Sequence, residues 1–279
     1  MNVLNRIGAE KVRQPFDIPL WIPTPTNRKG KKVKKQLDTV VYGIIENRRN
    51  SPKKYDDLLA MLMEASDEIT GEHMNDEQLR DEIMTIFVAG YETSVVALSW
   101  AMYLLHQEKA VWQKMRHEAN EVLQEQNPSF EQLGQLPYIS SVINEAMRLY
   151  PPAYLIGRRS IKDDYIGDYF LPAKTNVLIN TYGLHRHPKY WHKPNTFLPE
   201  RFLDFNNTGD NKYIYFPFGG GPRKCIGYNF ALMEMQVIMA MLVQHFDISL
   251  LNENPIHKDP QITLRLSENI RLGLENALK

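Results

Sequence analysis

A single cysteine lies in a glycine-rich loop, directly before a stretch of helix-forming residues. The loop runs from Tyr215 to Gly227, and Cys225 is the only cysteine among 279 residues. Glycine lacks a Cβ and so lets another group approach closely. A helix N-terminus favours a thiolate over a thiol, because free N–H groups and the positive end of the helix dipole face it. The loop therefore predicts a thiolate open to a flat ligand, as an axial ligand of haem iron requires.

A simpler explanation exists for each part of this loop taken alone. Lone cysteines are usually small buried hydrophobic side chains, and glycine runs are often flexible turns. The combination is more specific, because it resembles the haem-binding signature of the cytochrome P450 family, Phe-Gly-x-Gly-x-Arg-x-Cys-x-Gly, at every fixed position. The resemblance implies that Cys225 is the axial ligand of haem b and that Arg223 contacts a propionate. It also implies three further cofactor-binding positions, Phe218, Gly219 and Gly227.

A second group of polar residues interrupts an apolar stretch with helical spacing, which runs from Asn75 to about His106. Gly90 costs such a helix about 1 kcal/mol relative to alanine. One explanation is a helix–helix contact at Gly90, with Thr93 bonding to a preceding carbonyl. Residues 89–94 also resemble the family's oxygen-activation motif in its glutamate form. That resemblance implies that Thr93 holds a hydroxyl near bound dioxygen and that Glu92 relays protons from solvent.

Two charged residues, Glu145 and Arg148, share one face of a predicted helix, Tyr138–Tyr150. A pair with this spacing is ordinarily a surface ion pair of little energetic value. However, this helix and the later segment Phe197–Phe202 both resemble family motifs. The resemblance implies that Arg201 joins Glu145 and Arg148 in a buried structural triad, for which bidentate guanidinium pairing is well suited.

The resemblance also implies haem and substrate contacts outside these motifs. It places Arg158 at a haem propionate, with a one-residue ambiguity because Arg159 follows, and it makes His185 a second haem-side donor. The stretch from His185 to Pro188 lacks a cysteine or carboxylate at ligand spacing, so no metal site is expected there. The expected substrate-pocket residues are Phe87, Ala89, Gly90, Ala153, Tyr154 and Leu155.

The elements that position these residues are predicted to be mostly helical, and Pro25 is expected to lie in an extended segment before the first helix. No repeats interrupt the chain. The resemblance implies that residues 1–279 form the C-terminal portion of a single, mainly α P450-like domain with a small β region, truncated at its N-terminus. Helices are predicted near 37–49, 58–63, 75–106, 108–126, 138–150 and after 227, and strands at 168–172, 176–180, 246–251 and 262–274.

Composition excludes several classes of protein. The chain has 33 basic and 33 acidic residues and is 43% hydrophobic, which is typical of a globular protein without affinity for nucleic acid. One cysteine excludes an intramolecular disulfide. No signal peptide and no apolar run long enough for a bilayer are expected. Six of the eight residues in 28–35 are basic, which indicates either a solvated helix face or contact with a membrane surface or acidic partner.

The function implied by the resemblance is a haem-thiolate monooxygenase that hydroxylates an apolar organic substrate with O₂. Electrons would come from a separate ferredoxin, flavodoxin or reductase, because no such module is present in the chain. The alternatives are a peroxide-using haem-thiolate enzyme and an inactive haem-binding fragment. Glu92 and Thr93 favour the monooxygenase over the peroxide-using enzyme. A bacterial protein of this kind would be cytoplasmic, whereas an N-terminal anchor would place it at a membrane.

Overall fold

A computed structural model describes residues 18–19, 21–124, 126–206, 208 and 212–277. Helices predominate in this part of the chain, and its strands pair in two-stranded antiparallel sheets. The helices are α1 (Pro25–Arg49), α2 (Leu58–Glu64), α3 (Asp76–Leu105), α4 (Lys109–Leu123), α5 (Phe130–Leu133), α6 (Pro137–Leu149), α7 (Thr181–Leu184) and α8 (Tyr228–His245), with 3₁₀ turns at Pro199–Phe202 and Gly221–Arg223. The strands are β1 (Leu155–Arg159), β2 (Asp164–Ile166), β3 (Tyr169–Leu171), β4 (Asn176–Asn180), β5 (Phe246–Leu250), β6 (Lys258–Pro260), β7 (Leu264–Leu266) and β8 (Leu272–Asn276).

The first compact unit comprises residues 1–92. Its described part packs α1 and the start of α3 around Val41, Ile45 and Leu79. The expectation of an extended segment at Pro25 was wrong, because Pro25 is the first residue of α1 and the Thr24 side chain accepts from the Asn27 N–H. Proline suits this position, since the N–H it lacks would have no helical partner there.

The basic segment 28–35 lies within α1, and its six basic side chains are exposed. Lys34 forms an ion pair with Asp38, with 2.8 Å between Nζ and Oδ2. The Asp38 carboxylate also accepts a hydrogen bond from Arg80, a residue of α3. The exposure of the six basic side chains is compatible with both a solvated helix face and a contact with a membrane surface or acidic partner, so the choice between them stays a prediction.

The second compact unit comprises residues 93–279. Its core is formed where the C-terminal half of α3, α4, α6 and α8 meet, with Ala97, Met115, Ile139 and Met239 buried. Trp100 stacks on Tyr150 with ring centroids 3.9 Å apart, and its Nε1 donates to the Leu264 carbonyl at 2.7 Å. This contact fixes the C-terminal end of α6 beside β7.

The strands form short hairpins rather than one large sheet. β1 pairs with β4 from Leu155↔Asn180 to Arg159↔Asn176, and β5 pairs with β8. The predicted strand at 176–180 is confirmed as β4. The strand predicted at 262–274 is wrong as a single element, because its residues fall in two strands, β7 and β8, of different sheets.

Helix α3 is long and apolar enough by composition to cross a bilayer, although it contains no uninterrupted apolar run of that length. It has 30 residues and contains an 18-residue window with a mean hydropathy of 1.4, of which 28% is buried. The expectation counted uninterrupted apolar residues, whereas a window average tolerates the acidic Glu92. Core helices of water-soluble proteins meet the same criteria of length and hydropathy, so these two properties do not by themselves assign α3 to a membrane.

Candidate functional site

The cysteine loop is held by backbone hydrogen bonds and by two glycines in the left-handed region. Gly219 has φ +73° and Gly221 has φ +69°, where residues with a Cβ are strained. The Gly219 N–H donates to the Phe216 carbonyl at 2.9 Å, and the Cys225 N–H donates to the Phe218 carbonyl at 3.0 Å. The loop thus folds back on itself and leaves Cys225 exposed.

Helix α8 begins three residues after Cys225, with Gly227 as its N-cap and no side-chain cap. The N–H groups of its first turn are therefore not taken by a capping side chain. A Cβ added at Gly221 or Gly227 would meet nothing within 4 Å, so the loop is open on those sides. An exposed cysteine directly before a helix, with open space at the neighbouring glycines, fits a haem whose iron is bound by thiolate.

Strand β1 runs beside this loop, and it carries both Arg158 and Arg159. The Ile156 side chain lies 3.8 Å from the position of a Cβ added at Gly219. Alternate residues of a strand share a face, so Arg158 lies on the side of Ile156, and Arg159 lies on the other side. Arg159 donates from Nε to the Lys174 carbonyl at 3.0 Å. The geometry favours Arg158 for a group bound at the cysteine loop.

Arg223 lies in the cysteine loop itself, at the end of the 3₁₀ turn. Its side chain is exposed and forms no ion pair with any residue of the described ranges. The neighbouring Lys224 is held differently, with Nζ 3.5 Å from the ring centroid of Tyr228. Arg223 is therefore available to an anionic group such as a carboxylate.

The structure brings Glu145, Arg148 and Arg201 together. Arg148 donates from Nε and Nη2 to the two carboxylate oxygens of Glu145, at 2.7 and 2.8 Å, and both side chains are fully buried. Arg201 donates from Nε to Glu145 Oε1 at 3.1 Å. The Leu198 N–H reaches the same oxygen at 2.8 Å. The carboxylate is thus satisfied by two guanidinium groups and one backbone N–H, which offsets the cost of burying its charge.

The side chain of His185 contacts the cysteine loop. This side chain is fully buried in this structure. Nε2 accepts from the Phe216 N–H at 3.1 Å. Burial and the nearby Arg148 lower the pKa of His185 to about 3, which keeps the ring neutral. His185 is therefore a buried acceptor for the cysteine loop in this structure, and its role as a haem-side donor stays a prediction.

The polar residues of α3 lie at different depths. Glu92 is buried and Thr93 is half-buried, while Phe87, Ala89 and Gly90 are exposed. Successive helical residues point about 100° apart, which accounts for the difference between Glu92 and Thr93. A Cβ added at Gly90 would meet nothing within 4 Å, so the helix contact that would explain this glycine is not formed in the described chain.

The expected pocket residues after α6 lie beside the β6–β7 hairpin. Tyr154 donates from its hydroxyl to the Gln261 carbonyl at 2.8 Å, and Leu155 begins β1. Ala153 is half-buried. These residues belong to the second unit, whereas Phe87, Ala89 and Gly90 belong to the first, so their joint pocket stays a prediction. Among the described residues, no group of three or more His, Cys, Asp and Glu side chains is arranged to hold a metal ion.

One supporting residue, Glu118 of α4, has no signal in the sequence. Its carboxylate accepts from the N–H groups of Tyr138 and Ile139 at 2.7 and 2.8 Å, and so caps the start of α6. Burial raises the pKa of Glu118, and the two hydrogen bonds oppose that rise. Since Glu118 precedes these partners by about twenty residues, local patterns cannot identify it as a cap.

Comparison with known proteins gives a family match over almost the whole chain. The sequence model described as Cytochrome P450 matches residues 2–273. "Cytochrome P450 97B2, chloroplastic" from Glycine max is 36% identical over 285 residues, which cover 85% of this chain and 50% of that protein.

Two further relatives carry monooxygenase names. "Carotene epsilon-monooxygenase, chloroplastic" from Arabidopsis thaliana is 37% identical over 203 residues, covering 71% of this chain and 38% of that protein. "Cyclooctat-9-en-7-ol 5-monooxygenase" from Streptomyces melanosporofaciens is 32% identical over 237 residues, covering 85% of this chain and 52% of that protein. The chain spans about half the length of the curated relatives that it matches, or less.

Proposed function

Because this chain belongs to the cytochrome P450 family of haem-containing oxidoreductases, we propose that it provides the thiolate side of a monooxygenase. The proposed reaction inserts one oxygen atom of O₂ into an apolar organic substrate, with haem b as the cofactor. The observation that carries the proposal is the geometry of Cys225, exposed in a signature-matching loop directly before α8. Relatives named as monooxygenases support the same reaction class.

Cys225 would bind the iron through its sulfur. The loop holds the Cys225 backbone through the Phe218 carbonyl, and α8 begins three residues after Cys225. A bound haem b would supply the activation of dioxygen, which thiolate ligation favours. Phe218, Gly219 and Gly227 shape the surface against which the flat group lies.

Arg223 and Arg158 would bind the carboxylates of the haem propionates. Arg223 is exposed within the loop, and Arg158 lies on the loop-facing side of β1. Guanidinium groups pair well with carboxylates in bidentate geometry. Two separate arginines therefore match the two acidic groups of this cofactor.

Thr93 and Glu92 would serve the proton steps on the oxygen side. The Thr93 hydroxyl can donate a hydrogen bond there, and the buried Glu92 carboxylate can carry protons inward from solvent. Their different directions on α3 suit two separate roles. We also propose that both compact units belong to one P450-like domain.

The electrons would come from a separate ferredoxin, flavodoxin or reductase. The family match takes up residues 2–273, and those residues form the oxygenase part of the proposed reaction. Lys224 lies one residue from Cys225 and is exposed, so it suits contact with an acidic electron donor.

The test is the absorption spectrum of haem-loaded, reduced protein with carbon monoxide. We expect the red-shifted Soret band of thiolate ligation in the parent protein and its loss in Cys225→Ser. Lys224→Ser, one residue away, is the matched control and should keep the band. A band that survives in Cys225→Ser would refute the assignment, as would a haem-loaded parent protein that never shows it.

A further inference from the structure

His185 connects two parts of the second unit, the buried network around Glu145 and the cysteine loop. On one side, its backbone carbonyl accepts from Arg148 Nη1 at 2.7 Å, so it belongs to the buried network around Glu145. On the other side, its ring accepts from the Phe216 N–H at 3.1 Å. The ring also packs between Tyr215 and Phe216, with centroids 5.1 and 5.5 Å away.

A short series of hydrogen bonds leads from this ring to Cys225. The Phe216 N–H donates to His185 Nε2, and the Phe216 carbonyl accepts from the Gly219 N–H. One residue before Gly219, the Phe218 carbonyl accepts from the Cys225 N–H. Each bond fixes one peptide group of the loop, so the position of the Cys225 backbone depends on where Phe216 is held.

The ring of His185 is fixed in the state that can accept this bond. Protonation would place a donor on Nε2 and a positive charge next to Arg148, both in a fully buried position. Nε2 must therefore carry no proton, and Nδ1 carries the hydrogen of the neutral ring. Nδ1 has no well-formed hydrogen bond within the described ranges, although the carbonyls of Met147 and Arg148 act on the ring and partly raise the pKa of His185.

We propose that His185 is a positioning residue that transmits the fixed geometry of the Glu145–Arg148 network to the cysteine loop and so sets the orientation of Cys225. Its relevance to haem ligation rests on the proposed function. The mechanical link between His185 and the loop does not depend on haem, so the two can fail separately.

The first test measures amide hydrogen exchange at Phe216, Gly219 and Cys225 in the chain without added haem. His185→Phe keeps an aromatic ring but removes the acceptor, and His185→Gln keeps an acceptor of similar reach. Loss of one hydrogen bond of about 1 kcal/mol should reduce protection roughly fivefold in His185→Phe. Protection should stay near that of the parent in His185→Gln, and the amides of α4 should be unchanged in both variants.

The inference is overturned if Gly219 and Cys225 keep their protection when His185→Phe is folded. A general loss that includes α4 equally would also overturn it, since that outcome indicates only lower global stability. If His185→Phe does not fold, His185→Asn replaces it, because its amide is one methylene shorter than that of His185→Gln and falls short of Phe216. Equal protection in the Asn and Gln variants would then contradict the proposal.

The second test measures the fraction of bound haem that shows the thiolate Soret band with carbon monoxide. Among haem-loaded molecules, His185→Phe should show a smaller thiolate fraction than His185→Gln. A purely structural role would lower haem content without changing this fraction. Absence of the band in the parent protein would refute the proposed function, and the exchange result would still decide the role of His185.

Discussion

Replacing Arg148 by alanine should be among the most damaging single changes in the second unit. Arg148 makes two bonds to the Glu145 carboxylate and donates to the carbonyls of His185, Pro194 and Thr196 at 2.7, 2.7 and 3.2 Å. Removing one partner of a buried ion pair costs about 3–5 kcal/mol. Three carbonyls that lose a donor add about 1 kcal/mol each at the lower limit.

The total, about 6–8 kcal/mol, is comparable with the whole stability of a typical domain, roughly 5–15 kcal/mol. We therefore expect Arg148→Ala to be unfolded or close to it. Arg201→Ala should cost less, about 1–3 kcal/mol, because Glu145 keeps both bonds to Arg148 and its bond from the Leu198 N–H. Lys34→Ala removes an exposed ion pair within α1 and should cost no more than about 0.5 kcal/mol.

The assay is urea denaturation followed by circular dichroism, with the free energy of unfolding compared across the three variants. The expected order of destabilisation is Arg148→Ala, then Arg201→Ala, then Lys34→Ala. If Arg148→Ala loses no more stability than Lys34→Ala, burial of the network does not have the energetic role argued here. Arg148→Lys is the charge-preserving control, and it should recover only part of the loss because one ammonium cannot replace the guanidinium fork.

Three other changes test separate parts of the structure. In haem-loaded protein with a working electron donor, Thr93→Ala should keep substrate binding but divert reductant into hydrogen peroxide. Thr93→Ser keeps the hydroxyl and should not divert reductant. If the ratio of product formed to reductant consumed is unchanged in Thr93→Ala, the hydroxyl has no role in oxygen activation. Glu118→Ala removes the cap of α6 and should lower the free energy of unfolding by about 1–2 kcal/mol, while the exposed Glu121→Ala should change it by less than about 0.5 kcal/mol. Between pH 6.5 and about 3, His185 is protonated in the unfolded chain but not in the folded chain. The free energy of unfolding should therefore fall with decreasing pH by up to about 1.4 kcal/mol per pH unit. His185→Gln should lessen this dependence on pH, and an equal dependence in both proteins would mean that His185 titrates normally in the folded protein.

The parts of the site that sequence could predict are those in which short motifs carry the chemistry. Cys225 and its glycines lie within one short segment, 219–227, so their spacing alone indicated a loop before a helix. Glu145 and Arg148 are one helical turn apart, and a recognisable second motif supplied Arg201. In each case the relevant contacts are either local or join two segments that both have their own signal.

Other features depend on contacts between segments without such signals. His185 is an acceptor for Phe216 because α7 packs behind the cysteine loop, and nothing near His185 in sequence shows that packing. The choice between Arg158 and Arg159 required the side of β1 that faces Gly219. The prediction for Pro25 failed for a local reason, because proline can either end a helix or begin one. The N-cap at Thr24 shows that Pro25 begins α1.

The buried network also constrains the order in which the second unit can fold. The Glu145–Arg148 pair spans three residues and can form within α6 as soon as that helix exists. The carbonyls that accept from Arg148 lie 37 to 48 residues further along the chain. Closing a loop of that length costs conformational entropy, whereas the Glu145–Arg148 pair forms without closing a loop. The carbonyl contacts should therefore form late, so that weakening the segment 185–196 mainly accelerates unfolding and leaves the folding rate little changed.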